Sequence, residues 1–247
     1  MLVFSLAVGI VICYLIPVAG LVLLWRKVKG AGKAFLIGAL AFTVSQPLIR
    51  IPILQLVLPG FGWYAVLQLL PWEYGLFLGF TAGLFEESAR WAAMSFLLKR
   101  QRDMEHGLAF GLGHGGVEAM LLIGPNMIAG LMMVLAGQGA LFPADAGSVL
   151  TAGAERIFAM MFHVGASLLL MYGVKAGKAL RYWAAAVALH TVLDAAVVIL
   201  PSVFGVGVLG IEVYAAALGG MTLLFGLYVW RGKKVFGIIQ IKMRKTV

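Results

Sequence analysis

Apolar residues fill this chain in seven runs of bilayer-spanning length, each closed by a basic or turn-forming cluster. Residues 2–24 form the first and contain no charge. The second starts at Ala34, is interrupted by Ser45-Gln46-Pro47 and Arg50-Ile51-Pro52, and continues to Leu58. Two prolines and an arginine there predict a kinked or re-entrant helix. Pro59-Gly60 turns the chain, and Trp63, Tyr64, Trp72 and Tyr74 suit an aromatic belt at the outer interface. The other runs cover residues 74–98, 106–136, 154–174, 182–200 and 211–230, with residues 137–153 read as an outer loop around Pro143 and Asp145. About 20 such residues cross a hydrocarbon core in a helix. The pattern predicts an all-α, polytopic membrane bundle of about seven transmembrane helices. We treat 1–247 as a single membrane domain: residues 1–73 as N-terminal helices, 74–200 as the core, and 201–247 as the last helix and a basic tail.

Composition agrees. The chain is 62% hydrophobic and 12% charged, where a soluble domain carries about 25% charged residues. The net charge of +9 would raise nucleic-acid binding in a soluble protein. Here it follows topology. All of the 19 lysines and arginines except Arg50, Arg90 and Arg156 fall after the first, third and fifth runs or in the tail. Alternating spans put those four clusters on one side, so the positive-inside rule places the N-terminus outside and the C-terminus in the cytoplasm of a bacterial plasma membrane. No basic residue precedes the first run, the reverse of a secretory signal, which predicts a retained helix. The basic tail suits anchoring to anionic lipid rather than nucleic acid. Cys13 is the single cysteine, excludes an internal disulfide, and reads as a small core residue.

Against this background the stretch Gly83-Leu84-Phe85-Glu86-Glu87-Ser88-Ala89-Arg90 stands out. Each charge at the bilayer centre costs roughly 3 kcal/mol on insertion scales. Further ionisable residues follow in three later runs: His114 and Glu118, His163, and His190 and Asp194. Counted from the flanking basic residues at 1.5 Å per residue, Glu86, His114, His163 and Asp194 lie about 18–20 Å deep and His190 about 14 Å. Four helices thus put polar groups in one layer. Glu86 and Glu87 can each pair with Arg90 at helical spacing. Glu118 can hold His114, and Asp194 can hold His190, each fixing a tautomer at i, i+4. Glycines at 79 and 83, and at 107, 111 and 115, predict close packing of the third run on the fourth.

Hydrolysis of a peptide bond needs an activated water and a group that stabilises the oxyanion. A glutamate facing neutral histidines can supply both, directly or through zinc. The chain lacks H-E-x-x-H and G-x-S-x-G, which excludes a zincin or a serine hydrolase by pattern. We read His106 as incidental. Glu73, Asp103, Glu105, Asp145, Glu155, Arg156 and Glu212, at span ends, are expected to be solvated. Arg50 either pairs with a core carboxylate or snorkels at the kink.

At these residues the chain resembles the CAAX-endopeptidase and bacteriocin-processing superfamily of intramembrane proteases. Phe110-Gly-Leu-Gly-His114 matches F-x-x-x-H, and His190-Thr-Val-Leu-Asp194 matches H-x-x-x-N with aspartate last. Glu86-Glu87-Ser-Ala-Arg90 is E-E-x-x-R rather than E-E-x-x-x-R. That spacing, the glycine pair after His114, Glu118 and the extra His163 most resemble the YhfC family of predicted membrane metalloproteases; the PrsW proteases are also similar. The resemblance covers roughly residues 74–200 and implies a four-helix catalytic core cleaving a peptide bond in or beside the membrane. It implies Glu86 as base, supported by Glu87 and Arg90. His114 would hold water or metal, and His190 and Asp194 would serve the oxyanion or the metal. His163 is the expected third ligand beside His114 and His190, and Glu118 supports them from outside. Zinc is the implied metal, and metal-free chemistry stays open. The expected partners are the lipid bilayer and a membrane-embedded or membrane-proximal peptide or protein. An ion-coupled transporter is the first alternative, because buried carboxylates and histidines also move ions. A catalytically silent scaffold is the second.

Overall fold

In this computed structural model, the backbone is described for residues 1–244 and side chains through Arg231. The basic tail beyond Arg231, with its expected lipid contacts, lies outside the described side chains. The helices are α1 (Leu2–Trp25), α2 (Ala31–Gly60), a short α3 (Gly62–Gln68), α4 (71–97), α5 (Met104–Leu135), α6 (Ala146–Lys175), α7 (Ala179–Phe204) and α8 (Val208–Arg244). No strand occurs among the described residues. Among the described residues, six helices are long and apolar enough to cross a membrane. The seventh of that length, α4, falls short in apolarity because it carries Glu73, Glu86, Glu87 and Arg90.

Several expectations change. The second run is neither re-entrant nor broken: α2 stays helical through Pro47 and Pro52 by widening its turns over Val44–Arg50 and Ile53–Val57. A widened turn absorbs the hydrogen bond that proline cannot make. The outer loop is also shorter than expected, since α6 begins at Ala146. Asp145 caps it, its Oδ1 accepting from the Gly147 and Ser148 amides at 2.7 and 2.9 Å. Such caps satisfy amides that a helix start leaves unpaired. They also pull the exposed Asp145 carboxyl below its usual range.

α6 is the central helix. Its apolar window is 72% buried, against 33% or less in the other spans. It packs on α5, α8, α1 and α7, while α4 lies along α7 and α2 along α5. Glycines set these approaches. A Cβ on Gly113 of α5 would lie 2.0 Å from the Phe35 carbonyl oxygen, and one on Gly38 of α2 would lie 2.1 Å from that of Phe110. The two glycine stripes of the core do not face each other, as the sequence suggested. A Cβ on Gly79 would meet the Thr191 carbonyl of α7 at 2.4 Å, and one on Gly111 would meet Val164 of α6 at 2.6 Å. Close backbone approach of this kind drives membrane-helix association where the hydrophobic effect is absent.

The ends carrying the basic loops are tied together. Lys175 pairs with Asp103, and His106 Nε2 donates to the Lys29 carbonyl at 3.0 Å. At the other end Tyr64 packs against Trp63, Tyr74 and Phe77, and is buried rather than displayed in a belt.

Gly113→Ala should destabilise the bundle by about 1–3 kcal/mol, the usual cost of overpacking. Gly62→Ala, with no atom within 4 Å of the added methyl, should leave stability nearly unchanged. SDS-unfolding midpoints in mixed micelles measure both.

Candidate active site

Glu86, Glu87 and Arg90 share the inner face of α4 because spacings of three and four residues bring side chains together on a helix. All three are buried, as are His114 on α5, His163 on α6 and His190 on α7. The structure therefore joins the six on four helices in one layer. Asp194, a turn beyond His190, keeps 38% side-chain exposure.

Arg90 organises the layer. It pairs with Glu87 rather than Glu86, Nε to Oε2 at 2.9 Å. Nη1 donates to the His163 carbonyl at 2.8 Å and to the Ser167 hydroxyl. Nη2 lies 2.9 Å from His163 Nδ1. A guanidinium can only donate, so Nδ1 accepts and the ring proton sits on Nε2. That nitrogen lies 2.6 Å from Glu118 Oε2, and Arg156 donates to Glu118 Oε1 at 2.8 Å.

The histidine partners differ from those the local spacing suggested. Glu118 holds His163, not His114. His190 gives Nδ1 to Glu87 Oε1 at 3.0 Å, while its Nε2 faces Glu86 Oε1 at 3.8 Å and Asp194 Oδ2 at 3.7 Å. His114 Nε2 lies 2.9 Å from Glu86 Oε2. Long-range contacts win here because α4, α5, α6 and α7 converge on one point. Pairing within a helix only lines residues up along its own axis.

Glu86 is thus ringed by a carboxamide and imidazoles. Gln46 of α2 donates to its Oε1, and His163 Nδ1 stands 4.0 Å from its Oε2. Glu86, His114 and His163 can each offer one ligand atom within 4.8 Å of the others. One carboxylate and two imidazoles form a donor set that zinc accepts. His163 would have to exchange Arg90 for the ion at Nδ1, while Glu118 would keep holding Nε2, the outer partner that metal-bound histidines usually have. His190, also an expected ligand, is not in this group.

A cavity of about 430 Å³ runs from Glu86, His163 and His190 past Asp194 to Arg156 and Glu212, toward the end away from the basic loops. Glu155, Arg156 and Glu212 were expected in solvent and line this space instead. Arg156 is only 12% exposed and pairs with both Glu118 and Glu155. Arg50 also lines it, and among the described residues reaches no carboxylate within ion-pair distance: it binds Gln46, Thr81 and the Leu78 carbonyl. Gln46 was missed in the sequence, where it read as part of a helix break. Its only signal was a buried-type amide four residues before an intramembrane arginine.

Comparison with known proteins places this geometry in context. The family model described as YhfC intramembrane metalloprotease matches residues 12–144 and 140–218. A protein of Bacillus subtilis strain 168, named uncharacterized membrane protein YhfC, is 29% identical over 252 residues, covering 94% of this chain and 96% of its own length. No solved structure matches the chain.

Arg90→Met would leave Glu87 buried without its cation. Breaking a buried pair costs about 3–5 kcal/mol. We expect the SDS-unfolding midpoint to fall accordingly, and Glu87→Leu added to Arg90→Met to recover part of the loss.

Proposed function

From the premise that the chain belongs to the YhfC intramembrane metalloprotease family, we propose that it is an endopeptidase that cleaves a peptide bond within or beside the membrane. The observation that carries this reading is the state of Glu86. Among the described residues, Glu87 and Glu118 are each ion-paired with an arginine, whereas Glu86 has only Gln46 and histidines within reach. A carboxylate with no arginine paired to it, at the head of a cavity, is the group free to take a proton from water.

In this reading, His114, His163 and one oxygen of Glu86 would hold a divalent ion such as zinc. Bound there, it would supply a Lewis acid for the scissile carbonyl. Glu86 takes the proton of the attacking water. Glu87 fixes His190 through Nδ1, leaving Nε2 turned toward Glu86 and Asp194, where the protonated ring can donate to the oxyanion or the departing amine. Arg90 neutralises Glu87 and holds the α6 backbone at His163. The tight packing of α4 on α7 keeps lipid and bulk water from the layer. The substrate segment would enter through the cavity, from the end away from the basic loops.

A second reading rests on the line of contacts from Glu86 through His163 and Glu118 to Arg156, which suits proton passage in an ion-coupled transporter.

The purified protein in liposomes separates these. We expect wild type to carry a stoichiometric divalent metal, read by elemental mass spectrometry, and to cleave members of a transmembrane-peptide library. His114→Ala should lose the metal, and Glu86→Gln should cleave about 10²–10⁴-fold more slowly. Proton flux without cleavage would instead support the transporter.

A further inference from the structure

Gln46 and Arg50 stand on the widened turns of α2, outside the four helices that carry the charged motifs. Four residues apart, they reach α4 together. Arg50 Nε donates to the Thr81 hydroxyl at 3.1 Å and Nη2 to the Leu78 carbonyl at 2.7 Å. Nη1 donates to Gln46 Oε1 at 3.1 Å. A guanidinium has no acceptor, so this contact decides which end of the carboxamide is oxygen. The amide nitrogen is thereby turned onto Glu86 Oε1. A flipped amide would set donor against donor at Arg50 and oxygen against oxygen at Glu86. Gln46 is buried, so water does not compete for either contact.

We propose that Gln46 is a positioning residue for the Glu86 carboxylate, oriented by Arg50, and that α2 is therefore a working part of the active site. The inference rests on Glu86 acting as the base. With Oε1 held by Gln46 and Oε2 facing His114, the carboxylate plane is fixed relative to His163 and His190. Pro47 lies between the two residues, in the turns that α2 widens, so the apparent helix break is where this pair is presented. Residues that orient a reacting group in this way typically change function about 10- to 100-fold when lost.

The test uses Gln46→Met, which removes the donors at similar volume, in the full-length protein in liposomes. Infrared difference spectra against Glu86→Gln, with carboxyl-labelled glutamate, isolate the Glu86 stretch. That band should shift in Gln46→Met, which a merely structural glutamine would not cause. Cleavage should lose about 10- to 100-fold in kcat, with KM within about twofold. Arg50→Met should weaken kcat alone but add little in the Gln46→Met background, since it acts through the same amide. An unmoved Glu86 band in folded Gln46→Met overturns the proposal. If the band shifts while wild type cleaves no peptide, the positioning contact stands and the protease reading alone fails. Should Gln46→Met not accumulate, Gln46→Asn carries the same test, its shorter amide being unable to span Arg50 and Glu86 at once.

Discussion

Arg90 spends every guanidinium nitrogen on other helices or on its own neighbour Glu87, and the rest of the polar layer depends on how it does so. A lone charge at this depth is costly, and two adjacent carboxylates more so. By taking Glu87, Arg90 makes one of them a fixed scaffold that in turn holds His190 on α7. By taking the His163 carbonyl and ring, it fixes α6 and decides the tautomer that faces Glu118. Glu86 is left without an arginine partner among the described residues. The division of labour between two neighbouring glutamates thus follows from one arginine at i+3 from the second and i+4 from the first.

The apolar frame serves that arrangement. Glycines on both helices bring α2 onto α5, and glycines of α4 bring it onto α7, at backbone contact, which lets long polar side chains meet in the middle. α6 runs through the centre and presents His163. A buried layer of this kind tolerates little slack, because in hydrocarbon an unmet polar group cannot find water. The cavity is the exception, and it carries Asp194 and the cluster of Glu118, Glu155 and Arg156 to the end away from the basic loops.

Much of this was legible in the chain because depth in a membrane can be counted. The basic clusters fix one surface, and a constant rise per residue then puts Glu86, His114, His163 and His190 in one layer. Which residue touches which was not legible. Spacing suggested His114 with Glu118 and His190 with Asp194. In the structure, Glu118 reaches His163 on the next helix, and Glu87 takes Nδ1 of His190 while Asp194 stays 3.7 Å from Nε2. Helix rotation and neighbour order decide such contacts, and neither is encoded in a single helix. Glu155 and Arg156 looked like solvated ends because α6 begins earlier than its apolar run, at the Asp145 cap. Gln46 was hidden because the prolines around it signal a break, while the chain accommodates them with widened helical turns.

The central claim is that Glu86 does chemistry on peptide bonds. The most direct measurement compares new protein N-termini by mass spectrometry between cells carrying wild type and cells carrying Glu86→Gln, in a strain lacking the chromosomal copy. The account predicts specific N-termini at or near membrane spans with wild type alone. Matching profiles from two equally abundant proteins would contradict it.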